Sequence, residues 1–175
     1  MKKDKGIFDT QYQKKREDLA GEHKLGDMTQ LILFFTFLGV WITDTFFLKY
    51  SVVATNQNLL FMKIPIAIVI LCIAGYLAKY GLETVFGEVR DEPKVIREGV
   101  FSFVRHPIYL GAILLYLGLL VFSFSVLAVI IWMIIIAFYY YISKYEEKKL
   151  LEKYGKDYEE YMRDVPMLIP RIKRE

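Results

Sequence analysis

What the chain is short of narrows it quickly. Its 175 residues include one cysteine, Cys72, and two histidines, His23 and His106. A single cysteine excludes a disulfide framework, and inside an apolar stretch it reads as a packed thiol. Two histidines far apart in sequence offer no ligand cluster for a metal. There is no glycine-rich strand-to-helix motif, which argues against a Rossmann-type domain. No internal repeat and no low-complexity segment is present. The most telling absence is of charge: from Ile108 to Ile142 there is no Asp, Glu, Lys or Arg.

The rest of the composition makes that gap informative. The chain is 55% hydrophobic and 25% charged, so charge is abundant but segregated from the apolar runs. A continuous helix over the uncharged run would measure ~52 Å against a hydrocarbon core of ~30 Å, so it has to fold back. The reversal is expected at Phe122-Ser123-Phe124-Ser125, where hydroxyls can satisfy freed backbone groups. Each arm would then have ~16 residues, short for a crossing and implying little tilt or a locally thinned bilayer. Leu31 to Leu48 and Leu59 to Ala78 are two further apolar stretches. Together they predict an all-α integral membrane protein with four transmembrane helices, the last two a tight hairpin, followed by cytoplasmic C-terminal helices. Three regions follow: a candidate interfacial leader over 1–27, the first two membrane helices over 28–80, and a functional region over 81–175.

Orientation follows from the basic residues, which concentrate on cytoplasmic flanks. Lys2, Lys3, Lys5, Lys14, Lys15, Arg16 and Lys24 precede the first span; Lys79, Arg90, Lys94, Arg97 and Arg105 lie between the second and third; nine more start at Lys144. The other two connections hold only Lys49. Both termini are therefore expected in the cytoplasm. The leader is too charged for a signal peptide and could rest on an anionic membrane surface through Ile7, Phe8, Tyr12 and Leu19. Asp44 and Lys63 fall at similar depth on antiparallel spans, an arrangement natural for a structural ion pair. Pro65 either kinks the second helix or marks its first turn.

Chemistry-bearing residues cluster at the base of the hairpin. Pro107 suits the first turn of a helix, which puts Arg105 and His106 at its mouth beside free N–H groups, an anion-binding arrangement. The fold-back returns Glu146 and Glu147 to the same end. Such a mouth suits a zwitterionic amino-acid moiety, with carboxylate toward Arg105 and His106 and ammonium toward a glutamate. Each residue alone also has a plainer reading. Arg105 could be a membrane anchor, His106 a helix cap, Glu146 a partner of Lys149, and Tyr109, Tyr116, Tyr139, Tyr140 and Tyr141 interfacial belts.

Taken jointly, Arg105-His106-Pro107-x-Tyr109-x-Gly111 resembles the Arg-His-Pro-x-Tyr-x-Gly motif of isoprenylcysteine carboxyl methyltransferases and their prokaryotic relatives. The tail Glu146-Glu147-x-x-Leu150-x-x-x-Tyr154-Gly155-x-x-Tyr158-x-x-Tyr161-x-x-x-Val165-Pro166, closing in Ile169-Pro170, is similar to the family's second block. The resemblance covers roughly Pro93 to Arg171. It implies an S-adenosylmethionine site formed by His106, Pro107, Ile108, Tyr109 and Glu146, with Lys94, Val95, Ile96 and Phe101 along the adenosine. It further implies methyl transfer to a lipophilic or small acceptor, with Arg105 and Glu147 as the candidate catalytic groups: Arg105 to hold an anion, Glu147 or His106 to take a proton. Phe101 stands where a tyrosine is common. Ile142 stands where eukaryotic members carry an arginine implicated in substrate binding, which leaves carboxylate, thiol and amine acceptors open. Neither nucleic acid nor a metal is expected as a partner. An NADPH-dependent membrane reductase of the sterol-reductase type and a non-enzymatic scaffold are the alternatives; a small transporter would need more polar residues at mid-membrane depth.

Overall fold

The computed structural model describes residues 26–52, 57–87 and 94–170, and every structural statement below concerns those. Residues 1–25 of the leader, its four apolar residues included, lie outside them, and its last two residues open the first helix. Five α-helices make up the described chain: α1 (Gly26–Ile42), α2 (Gln57–Phe86), α3 (Pro107–Phe122), α4 (Val126–Tyr154) and α5 (Lys156–Asp164). A π-helical turn (Thr43–Leu48) prolongs α1, and a 3₁₀ turn (Gly99–Ser102) precedes α3. Three helical segments, Met28–Leu48, Phe61–Phe86 and Val126–Tyr154, are long and apolar enough to cross a membrane; Pro107–Phe122 is apolar but shorter.

The expected reversal is where the residues required it. α3 stops at Phe122 and α4 starts at Val126, with the Ser125 hydroxyl accepting from the Ala128 N–H at 3.2 Å as a helix cap. From there α4 runs back along α3: the Trp132 indole N–H donates to the Ile113 carbonyl at 3.1 Å, and farther on Glu146 meets Tyr109. α1 lies across both, its buried Phe37 ring 4.7 Å from Tyr116 of α3. α2 closes on the other side of α3 through small residues. A Cβ added to Gly111 would come 2.9 Å from the Ala74 carbonyl oxygen, and one on Gly118 would come 2.7 Å from Leu71 Cδ2. Backbones approach that closely only where side chains are minimal, the usual packing device of apolar helices without a hydrophobic driving force between them.

Several expectations change. α2 continues to Phe86, past Ala78, so the boundary drawn at residue 80 falls inside a helix; Gly81 holds the extension by packing under Ile108. Pro65 lies within α2 beyond its first turn. Cys72 is exposed on the outward face of α2 rather than packed, because α2 meets its neighbour only along the narrow small-residue stripe. Asp44 does not take Lys63 as its partner. Its buried carboxylate accepts from the Tyr50 and Ser51 N–H groups at 3.0 Å each and from the Ser51 and Ser125 hydroxyls at 2.5 Å each. Ser51 also receives the Leu127 N–H on its hydroxyl and the Val126 N–H on its carbonyl, so Asp44 ties the α1 connection to the α3–α4 turn.

Candidate functional site

The other end of the bundle gathers the residues that carry chemistry. Gly155, with φ +55° in the left-handed region that glycine tolerates, ends α4 and lets α5 start in a new direction. α5 is amphipathic: Tyr158 and Tyr161 turn inward onto Val165, Val95 and Leu150. The Tyr161 hydroxyl donates to the Phe101 carbonyl at 2.6 Å, fixing the 3₁₀ turn. Pro166 and Met167 then cross the approach to α3, their carbonyls accepting from the Arg105 and His106 backbone N–H groups at 2.9 and 3.1 Å. Met167 and Leu168 pack into the main apolar core, so this C-terminal strap is anchored on both sides.

Arg105 is the knot of that arrangement. Its Nε and Nη2 each lie 2.7 Å from Glu147 Oε1, and Nη1 donates to the Met162 and Val165 carbonyls at 2.8 and 2.5 Å. The guanidinium side chain is 8% exposed and that of Glu147 3%, so this is a buried, charge-assisted cluster. An anion-binding mouth at Arg105 is not what the chain builds. Its backbone N–H and most of its guanidinium donors already serve the strap and Glu147.

His106 lies between two carboxylates. Nδ1 is 3.5 Å from Glu146 Oε2 and Nε2 is 3.5 Å from Glu147 Oε1. Its ring stacks on Tyr109, with centroids 5.6 Å apart and planes 5° from parallel, and the Tyr109 hydroxyl donates to Glu146 Oε1. Tyr139 adds a third ring, 5.1 Å from Tyr109. Burial holds the imidazole below its ordinary range; the Glu147 carboxylate pulls it up and Arg105 adds to the lowering. Burial also pushes the Tyr158 and Tyr161 phenols up, so both stay protonated near neutrality. His106 Nε2, Glu147 Oε2 and, one turn earlier on α4, Ser143 Oγ are buried without a hydrogen-bond partner.

The plainer readings of His106, Glu146, Tyr116 and Tyr139 fail on this geometry. The His106 side chain makes no capping hydrogen bond, although the residue occupies the N-cap position of α3. Lys149 pairs with Glu152 at 3.8 Å, while Glu146 faces Tyr109 and His106. Tyr116 and Tyr139 are core residues, whereas Tyr140 and Tyr141 are exposed. Of the expected cofactor residues, His106, Tyr109 and Glu146 converge. Pro107 is fully buried beneath them, and Ile108 points to Gly81 of α2. Phe101 is buried and Val95 packs on the α5 tyrosines; Ile96 is half-buried, and Lys94 is exposed 3.9 Å from Glu98. Sequence reasoning missed the strap, although the x-Pro pairs at Val165-Pro166 and Ile169-Pro170 already signalled extended backbone there. Among the described residues, no group of three or more His, Cys, Asp or Glu could hold a metal ion.

Fold and site together define an all-helical protein with helices fit for a membrane and a polar cluster at one end of its bundle. The chain belongs to the family described as "Protein of unknown function (DUF1295)", which matches residues 1–165. No curated protein and no solved structure matches it.

Proposed function

We propose that the chain is an S-adenosylmethionine-dependent methyltransferase of the membrane, with four crossings, both termini and the site on the cytoplasmic side. The supporting observation is the convergence of Glu146, His106 and Tyr109 beside the unpartnered Glu147 Oε2. It is a carboxylate-rich, aromatic-walled cluster at the end of apolar helices. The two motif blocks similar to isoprenylcysteine carboxyl methyltransferases supply exactly these residues in the right order, which gives the methyl donor its place in the proposal.

The residues fit the cationic end of that cofactor. Glu146 offers a carboxylate to an ammonium, and the Tyr109 and Tyr139 rings offer faces to a cation. When bound, S-adenosylmethionine supplies an electrophilic methyl group on a sulfonium. The protein's part is alignment. Tyr109 orients Glu146, while Arg105 and Glu147 position the strap and His106 rather than contacting the reacting atoms. The apolar helices let a lipophilic acceptor approach from the bilayer and keep water away, which favours in-line displacement by positioning. Ile142 is buried in the core, so the place of the eukaryotic arginine contributes no charge here.

Calorimetric titration of the purified protein in detergent with S-adenosylhomocysteine tests the reading. Binding should be evident for the wild type and weakened by about 10- to 100-fold in Glu146→Ala and His106→Ala, as for loss of a charge-assisted contact. No heat from the wild type would refute it, and heat with NADPH instead would transfer the site to a reductase.

A further inference from the structure

At 29 residues α4 is ~43 Å long, so it outlasts a hydrocarbon core of ~30 Å and its charged last turns emerge from it. One outward stripe of the helix changes character along the way. Ile130, Ile134, Ala137, Tyr141, Lys144 and Lys148 follow one another at three- and four-residue steps, and all six are exposed. The stripe runs from aliphatic through phenol to ammonium, the order of acyl chain, interface and headgroup in one leaflet. Ile134 to Lys144 covers ~15 Å, about half the core.

The two lysines also stand apart from the other cations at this end. Lys79, Lys94 and Lys149 lie within 4.0 Å of Glu83, Glu98 and Glu152, and Arg105 is buried against Glu147. Lys144 and Lys148 have no carboxylate partner among the described residues. On their own helix Glu146 and Glu147 turn inward to Tyr109 and Arg105, and Lys149 engages Glu152. Like charges one turn apart on a helix repel, and a single anion between them turns that repulsion into attraction.

We propose that this stripe seats an anionic phospholipid, its phosphate between Lys144 and Lys148 and an acyl chain along Ala137 and Ile134. A zwitterionic headgroup fits less well, because its own ammonium travels with the phosphate and meets the lysines as a like charge. Free phosphate would satisfy the lysines and leave the aliphatic part of the stripe unused, so the lipid is the occupant that the whole stripe selects. The proposal needs α4 to meet a bilayer and is independent of the methyl-donor reading. Ser143 and Glu147 immediately precede the two lysines, so a lipid clamped across them braces the stretch of α4 that carries the polar cluster.

Native mass spectrometry of the full chain in dodecylmaltoside, mixed with dioleoylphosphatidylglycerol or dioleoylphosphatidylcholine, counts the lipids retained. The wild type should hold phosphatidylglycerol in preference, and the double variant Lys144→Gln, Lys148→Gln should weaken it by roughly 25-fold, about fivefold per lysine. Lys149→Gln, on the next residue but committed to Glu152, should stay within about twofold of the wild type. Equal retention of both lipids by the wild type, or unchanged phosphatidylglycerol affinity in the double variant, overturns the proposal. Thermal midpoints in the same mixtures give a second readout. Phosphatidylglycerol should raise the midpoint of the wild type and not that of the double variant, whose lipid-free midpoint should match the wild type because both positions are exposed. The same rise from inorganic phosphate alone would make the lysines a free-anion site and overturn the lipid.

Discussion

Asp44 at one end of the helical bundle and Glu147 at the other are both buried carboxylates, and their surroundings differ in kind. Asp44 has both oxygens filled by four short contacts, all from the chain's own turns. Glu147 has one oxygen taken by Arg105 and the other buried with no partner, beside an unpartnered His106 Nε2 and Ser143 Oγ. Buried polar groups are ordinarily satisfied, because leaving one unmade costs ~1–3 kcal/mol. The Asp44 carboxylate obeys that rule and reads as a closed structural cap, although the Trp41 indole N–H one turn earlier is buried without a partner. The Glu147 end departs from it three times in one place, as expected of a surface shaped for something other than itself.

The comparison is broken most forcefully at Arg105. Arg105→Ala leaves Glu147 as an uncompensated buried charge and frees the strap carbonyls, so unfolding in detergent should become easier by about 3–5 kcal/mol. Arg105→Lys should recover part of that, since a single ammonium cannot span Glu147 and both carbonyls. A fully stable Arg105→Ala protein would mean that the mouth is not held by this knot. Next in size is the opposite end: Asp44→Ala strands the two hydroxyls and two N–H groups and should lower the thermal midpoint by roughly 10 °C. What distinguishes the ends is the second readout. Asp44→Ala should leave S-adenosylhomocysteine affinity within about twofold where the protein is still folded, whereas Glu146→Gln should weaken it strongly at nearly unchanged stability. Loss of binding in folded Asp44→Ala would couple the cap to the site and erase the contrast.

How much of this the residues announced also differs between the ends. The α3–α4 turn was legible because an uncharged run too long for one crossing has to reverse, and the serines mark where. The return of Glu146 and Glu147 to Arg105 and His106 followed from the same fold-back. At the Asp44 end the expected Lys63 pair gave way to serines and backbone. Depth along two helices ranks their charges but says nothing of a connection that curls back on itself, as Lys49 does at φ 51°. Arg105 misled for a related reason. Sequence shows which donors exist, and only the strap's carbonyls show that they are already used. The roles of Lys94, Ile96 and Ile108 rest on motif position alone, and Ile108 faces away from the cluster toward α2.

The smallest expected effect gives the sharpest discrimination, and it concerns Ser143. Its hydroxyl is buried inside α4 with no partner, on the same helical face as Glu147 four residues later. Were it an ordinary interior serine, it would have bonded back to a carbonyl of the preceding turn. Ser143→Ala removes an unsatisfied group and installs the best helix former, so stability should hold or rise by up to about 1 kcal/mol. If the unpartnered atoms belong to a binding surface, the same change should weaken S-adenosylhomocysteine by a few-fold, a gain in stability set against a loss of affinity. A drop in stability with affinity unchanged would show that Ser143 serves the fold as Ser51 and Ser125 serve Asp44. The two ends of the bundle would then be built on one principle instead of two.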